Sequence, residues 1–123
     1  MTIPEVAANI VCNAFVDELN SGYILFHTSG DAEVAKPQMN NPAFGNAAAG
    51  VATMATGTDV EDTNTSPGTI AHAHLLKSDD TIMSQMTCGT GAEEFVFSSL
   101  VFAAGETLKV TSLTITWTPT AMT

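Results

Sequence analysis

The sequence predicts an all-β domain: an antiparallel β-sandwich or jelly-roll-like barrel with one N-terminal α-helix. Three observations predict it. Helical spacing of apolar residues is confined to the first 20 positions. The remainder is a series of short apolar runs bounded by Gly, Pro, Asn, Asp and Ser. In two of the last runs the inward face changes phase by one residue, the mark of a bulged strand or of one that passes between sheets.

A chain of 123 residues reads as one domain, 1–123, able to bury roughly two-thirds of its unfolded surface without a staple. Its two cysteines, Cys12 and Cys88, are too few for a disulfide framework and match no zinc or redox spacing, so both are expected as buried free thiols. Thirteen acids face three lysines, Lys36, Lys77 and Lys109, with no arginine, for a formal net charge of −10. Nucleic acid and anionic membranes both require cationic side chains, so neither is an expected partner. No apolar run reaches the roughly 18 residues of a membrane span. The start, MTIPEVAANIVCNAFVDELN, lacks a basic region and carries Glu5, Asp17 and Glu18 among its apolar residues, unlike a signal peptide.

The helix is expected over about 4–20. Thr2 and Glu5 stand in capping-box relation, Pro4 suits the first turn, and Ser21-Gly22 supplies the stop. Ile3, Ala7, Ile10, Val11, Ala14 and Phe15 form the expected inward stripe, with Glu5, Asn9, Asn13 and Asn20 opposite. Tyr23–Thr28 reads as a strand closed by Ser29-Gly30-Asp31, and Val51–Met54 as a second strand beyond a poorly patterned region. The polar stretch from Gly57 to Gly68 reads as a surface loop. Ile70–Leu76, the turn Lys77–Asp80 and Thr81–Cys88 form a β-hairpin. Glu94–Phe102 and Thr107–Thr118 are two further strands, slipping phase at Ser98-Ser99 and at Thr111-Ser112 respectively.

Candidate chemistry is sparse. His72 and His74 lie two apart on a strand and so share a face, with Ala71, Ala73 and Leu75 on the other. Zinc needs three or four converging ligands. The third histidine, His27, lies on a strand whose register the sequence leaves open, and the pair reads as scaffold. Asp59, Glu61 and Asp62 offer oxygen ligands of the kind calcium takes, yet without the glycine and distal glutamate of an EF-hand, so this segment reads as a solvated acidic loop. No nucleophile elbow or Gly-rich phosphate loop is present. The expectation is a protein that is not an enzyme and carries no cofactor.

The segments YILFHTSGD, NPAFGNAAAGVATM, AHLLKSDDTIM, GTGAEE and AAGETLKVTSLTITWTP occur in that order behind the helix. Together they resemble small virion structural proteins of tailed bacteriophages, over nearly the whole chain. N-P-A-F-G with the following Gly-Val-Ala-Thr, and the closing G-x-T-x-x-V-T-S-L-T-I-T strand, are the most specific pieces. The resemblance implies an all-β sandwich with a short helix and a structural role. The resulting expectation is a capsid decoration or cement protein on the outer face of the head, in the host cytoplasm before assembly. Its partners would be the major capsid protein and further copies of itself, as a dimer or trimer. A neck or tail adaptor is the alternative within the same virion. A calcium-dependent glycan-binding fibre module using Asp59, Glu61 and Asp62 is the alternative of another class. Ile10 and Phe15 on the helix, and Pro42, Phe44, Val51 and Met54 in the small-residue segment, are the candidate apolar contacts.

Overall fold

The computed structural model describes residues 3–55 and 59–117. The chain is mostly β, with a single helix among the described residues. Helix α1 (Glu5–Asp17) is followed by β1 (Tyr23–His27), β2 (Glu33–Ala35), β3 (Val51–Thr53), β4 (Val60–Asp62) and β5 (Gly68–Thr69). Then come β6 (His72–Leu76), β7 (Ile82–Gly89), β8 (Phe95–Val96), β9 (Val101–Phe102), β10 (Leu108–Val110) and β11 (Thr114–Thr116).

The main sheet has the order β2-β1-β6-β7-β8. Its pairs are antiparallel except at one edge, where β8 runs parallel to β7, so the sheet is mixed rather than purely antiparallel as expected. Among the described residues there are also three two-stranded pairs, β4 with β10, β3 with β11 and β5 with β9, and a few isolated bridges. The polar stretch read as loop therefore contains a strand, β4, held by Leu108↔Asp62 and Val110↔Val60. Both expected phase slips coincide with real breaks. One lies between β8 and β9. The other lies between β10 and β11, where the chain leaves one pair to join another.

One continuous core joins these pieces. Ile24, Phe26, Ala73, Leu75 and Met86 from the main sheet meet Ala52, Met54, Val60, Leu108, Val110 and Leu113 from the small pairs and the segments beside them. The segment from Pro42 to Met54 contributes more than its small residues suggested, because Ala43, Phe44, Ala52 and Met54 are all buried.

The helix docks on a different face from the one expected. Ala8, Cys12 and Val16, one turn apart, are its buried residues, and the helix lies against β3 and β11. Small side chains in this row permit a close approach. Thr2 lies outside the described residues. The N-cap is Pro4, without a side-chain cap. Glu5 instead accepts from the Ala49 N–H, and the polar row beside it is structural. Asn9 Oδ1 accepts from Gly50 N (2.8 Å), Asn13 Oδ1 from Ala47 N (2.7 Å) and Asn20 Oδ1 from Ala43 N (2.8 Å). These amides satisfy backbone donors of a segment with little regular pairing of its own. They also hold the tight Ala48–Val51 turn, in which Ala49 and Gly50 both have positive φ. Asn13→Ala is expected to lower stability by about 1 to 3 kcal/mol, because it orphans the Ala47 N–H. Asn13→Asp, which keeps an acceptor oxygen, is expected to recover most of that loss in denaturant titrations.

Candidate functional site

The antiparallel register of β1 with β6 sets His27 opposite His72 and Leu25 opposite His74. Directly opposed residues share a face, so all three histidines project from one side of the main sheet while Ile24, Phe26, Ala73 and Leu75 fill the other. On the next strand β7, Thr87 stands opposite His72 and Gln85 opposite His74. A shift of register at Phe26/His27 brings Glu33 of β2 opposite His27.

The three rings form a compact group. Centroids lie 3.7 Å apart for His27–His72, 4.5 Å for His27–His74 and 5.6 Å for His72–His74. His27 Nε2 is 3.2 Å from His74 Nδ1. One nitrogen can be chosen from each ring so that all three lie within 4.8 Å of one another. The turn after β1 closes the cluster. Thr28 N–H donates to Ala32 O and Asp31 N–H to Thr28 O, both at 2.9 Å, and Asp31 adopts φ 65°. The Asp31 carboxylate thereby comes 3.3 Å from His27 Nδ1 and 3.5 Å from His72 Nε2. His27 is only 2% exposed. Burial pushes its pKa down and His72 and His74 push the same way, against the opposing pull of the Thr28 carbonyl and Asp31.

The acidic candidates do not converge. Asp59 ion-pairs with Lys109 Nζ at 3.1 Å. Asp62 accepts from Lys36 N and Asn64 N, both at 2.9 Å. Glu61 stands opposite Lys109 on the ladder with β10. The other two lysines also sit against carboxylates, Lys36 on Asp80 and Lys77 on Glu18. Both cysteines are free. Cys12 is buried, whereas Cys88 is half-buried rather than fully buried. Burial pushes both thiols up, Cys88 to about 12 with Glu94 and Glu93 adding to the effect.

Of the candidate contacts, Ile10 and Pro42 are exposed. Phe44 and Met54 are buried in the chain's own core, which removes them from the surface. Phe15 packs partly against that core, and Val51 is half-buried. The outward side of α1 carries Val6 (72% exposed), Ile10 (63% exposed) and Val11. Trp117, also exposed, lies at the same end of the molecule, its N–H donating to the carbonyl of Gly50, the residue whose own N–H is held by Asn9. A hollow of about 90 Å³ between β8 and β10, lined by residues such as Phe95, Phe97, Lys109 and Val110, is small beside the roughly 300 Å³ at which ligand pockets begin. Among the described residues no helix is long and apolar enough to cross a membrane.

No family model, curated protein or solved structure matches the chain.

Proposed function

We propose that this chain is a non-enzymatic structural protein of a tailed-phage virion, a decoration or cement protein that docks on the outer capsid surface through the outward face of α1. We read the small strand pairs packed against the main sheet as a sandwich or jelly-roll-like arrangement, as the resemblance implies. The observation that carries the docking reading is the row Val6, Ile10 and Val11, solvent-facing on a helix whose other faces are already occupied by core packing and by the Asn clamp. Exposed large apolar side chains in a contiguous row mark a binding surface. Repetition over a symmetric lattice turns a modest contact into firm attachment through avidity. The net charge of −10 keeps unassembled copies apart and favours a partner with basic patches.

The test is reconstitution on capsid shells lacking the protein, comparing wild type with Ile10→Glu. The variant is expected to fold with stability within about 0.5 kcal/mol of wild type, as exposed substitutions do, and to lose lattice binding by about tenfold or more. Binding by the variant equal to wild type, or absence of the protein from purified particles, overturns the reading. Copies confined to a single ring at one vertex would place it at the neck instead.

A further inference from the structure

We propose that His27, His72 and His74 form a binding site for one divalent transition-metal ion of the zinc class, with Asp31 as the carboxylate that orients the ligands. The inference is independent of the docking surface and rests on how the ring nitrogens are placed. His27 Nδ1 faces two acceptors, Thr28 O at 3.2 Å and Asp31 Oδ1 at 3.3 Å, so it carries the hydrogen. His74 Nε2 lies 3.4 Å from Gln85 Oε1, an acceptor for its hydrogen in the tautomer that leaves Nδ1 bare. In that tautomer His27 Nε2 and His74 Nδ1 present lone pairs to each other across 3.2 Å, whereas in the other His74 Nδ1–H donates to His27 Nε2 and the pair is satisfied without an ion.

Two opposed lone pairs repel unless a cation lies between them. A metal ion uses the same lone pairs as bonds. Two nitrogens bound at about 2.0 Å to one tetrahedral zinc lie roughly 3.3 Å apart, close to the spacing already present. With one nitrogen taken from each ring, the three lie within 4.8 Å of one another, so His72 is the ligand left to close in. Bringing it to the same bond length therefore needs side-chain movement on the order of an ångström, by a ring that is half-buried rather than locked in the core. Metal-bound imidazoles hold their remaining N–H on a carboxylate or carbonyl, which fixes tautomer and ring plane. His27 has both such partners, and Asp31 also reaches His72. An all-imidazole set suits zinc, and after it cobalt, nickel or copper, over the hard oxygen-seeking calcium and magnesium. Three protein ligands leave a fourth position for water or for a side chain from outside the chain. The ion would tie β1 and β6 to the turn that follows β1.

The competing arrangement is three rings packed together with no ion, His74 Nδ1–H donating to His27 Nε2. The full chain, free of any polyhistidine tag and stripped with chelator, is titrated with Zn²⁺ against a chromophoric competitor, and in parallel with Co²⁺. One equivalent per chain is expected, with the visible bands of tetrahedral Co²⁺ and a rise in Tm on zinc addition. His72→Gln and His74→Gln, both at half-buried positions, are expected to fold without metal and to weaken binding by about tenfold or more, with the Co²⁺ bands lost. Asp31→Asn is expected to weaken binding by about 10- to 100-fold, as removal of an outer-shell partner does. Absence of stoichiometric binding, or binding and bands unchanged in His74→Gln, overturns the site. Their circular dichroism and Tm without metal show that a variant's loss is one of ligation and not of fold.

Discussion

Gly22→Ala is expected to lower stability by about 3 to 5 kcal/mol, a fall in Tm of roughly 10 to 20 °C for a domain of this size. A Cβ at Gly22 would sit 2.1 Å from the Leu76 carbonyl oxygen and 2.9 Å from that of Leu19. Neither atom is the end of a flexible side chain. Leu76 stands opposite Tyr23 at the end of the β1–β6 ladder, and Leu19 O accepts the Gly22 N–H at 2.8 Å as the chain leaves the helix. Gly22 O in turn accepts from Met39 N at 2.8 Å, so moving the glycine aside disturbs three segments at once. Gly30 is the control. A Cβ there meets only Thr28 Oγ1 at 3.9 Å, and Gly30→Ala is expected to change stability by no more than about 0.5 kcal/mol. Thermal and denaturant unfolding of the two variants, side by side, checks the contrast; equal stabilities would show that the β1–β6 ladder tolerates displacement.

Gly22 also shows what sequence reading reaches. The helix was legible but its end was not: the expected stop at Ser21-Gly22 lies beyond the real one, since the helix ends at Asp17 with Glu18 as its C-cap and the left-handed residue of the exit is Ser21. The β6–β7 hairpin was legible, its strands being joined by a short turn, and so were the phase slips at Ser98-Ser99 and Thr111-Ser112, which local alternation reveals although each splits an expected single strand into two. Pairings between distant segments were not legible. β4 has only three residues inside a polar stretch, and becomes a strand because β10 pairs with it. His27 and His72 are brought together by a register closed across an intervening stretch that holds β2 to β5, which no local pattern encodes. The helix face was misassigned for a related reason. Its bulky residues suggested one inward stripe, but the buried row on the helix that packs on β3 and β11 is the smaller Ala8, Cys12 and Val16, while asparagines read as solvent-facing serve as acceptors for backbone N–H groups between Ala43 and Gly50. Apolarity alone ranks residues by size. Docking also weighs how closely a backbone must approach and which polar groups it must satisfy.

Phe26→Ala is the second large expected loss, about 3 to 5 kcal/mol, a substantial part of the roughly 5 to 15 kcal/mol that holds a domain together. Phe26 is fully buried. Its neighbours across the sheet are both alanines, Ala35 on β2 and Ala73 on β6, so its ring fills the space above both. The ring meets Phe95 edge-on at 5.0 Å and Phe97 at 5.6 Å, arrangements that add to the burial of apolar area. Truncation leaves three alanines abreast, and the cost rises with the volume that remains empty after Leu75 and Met86, the nearest long side chains on that face, have relaxed. Phe26→Leu is expected to recover a large share of the loss. The substitution also separates the two sides of the sheet. Phe26 projects away from the histidine face and takes no part in the exposed row of Val6 and Ile10, so a folded Phe26→Leu protein is expected to keep both lattice binding and one equivalent of zinc while unfolding at lower denaturant. If unfolding titrations showed Phe26→Ala within about 1 kcal/mol of wild type, the aromatic group of Phe26, Phe95 and Phe97 would not be the centre of the core.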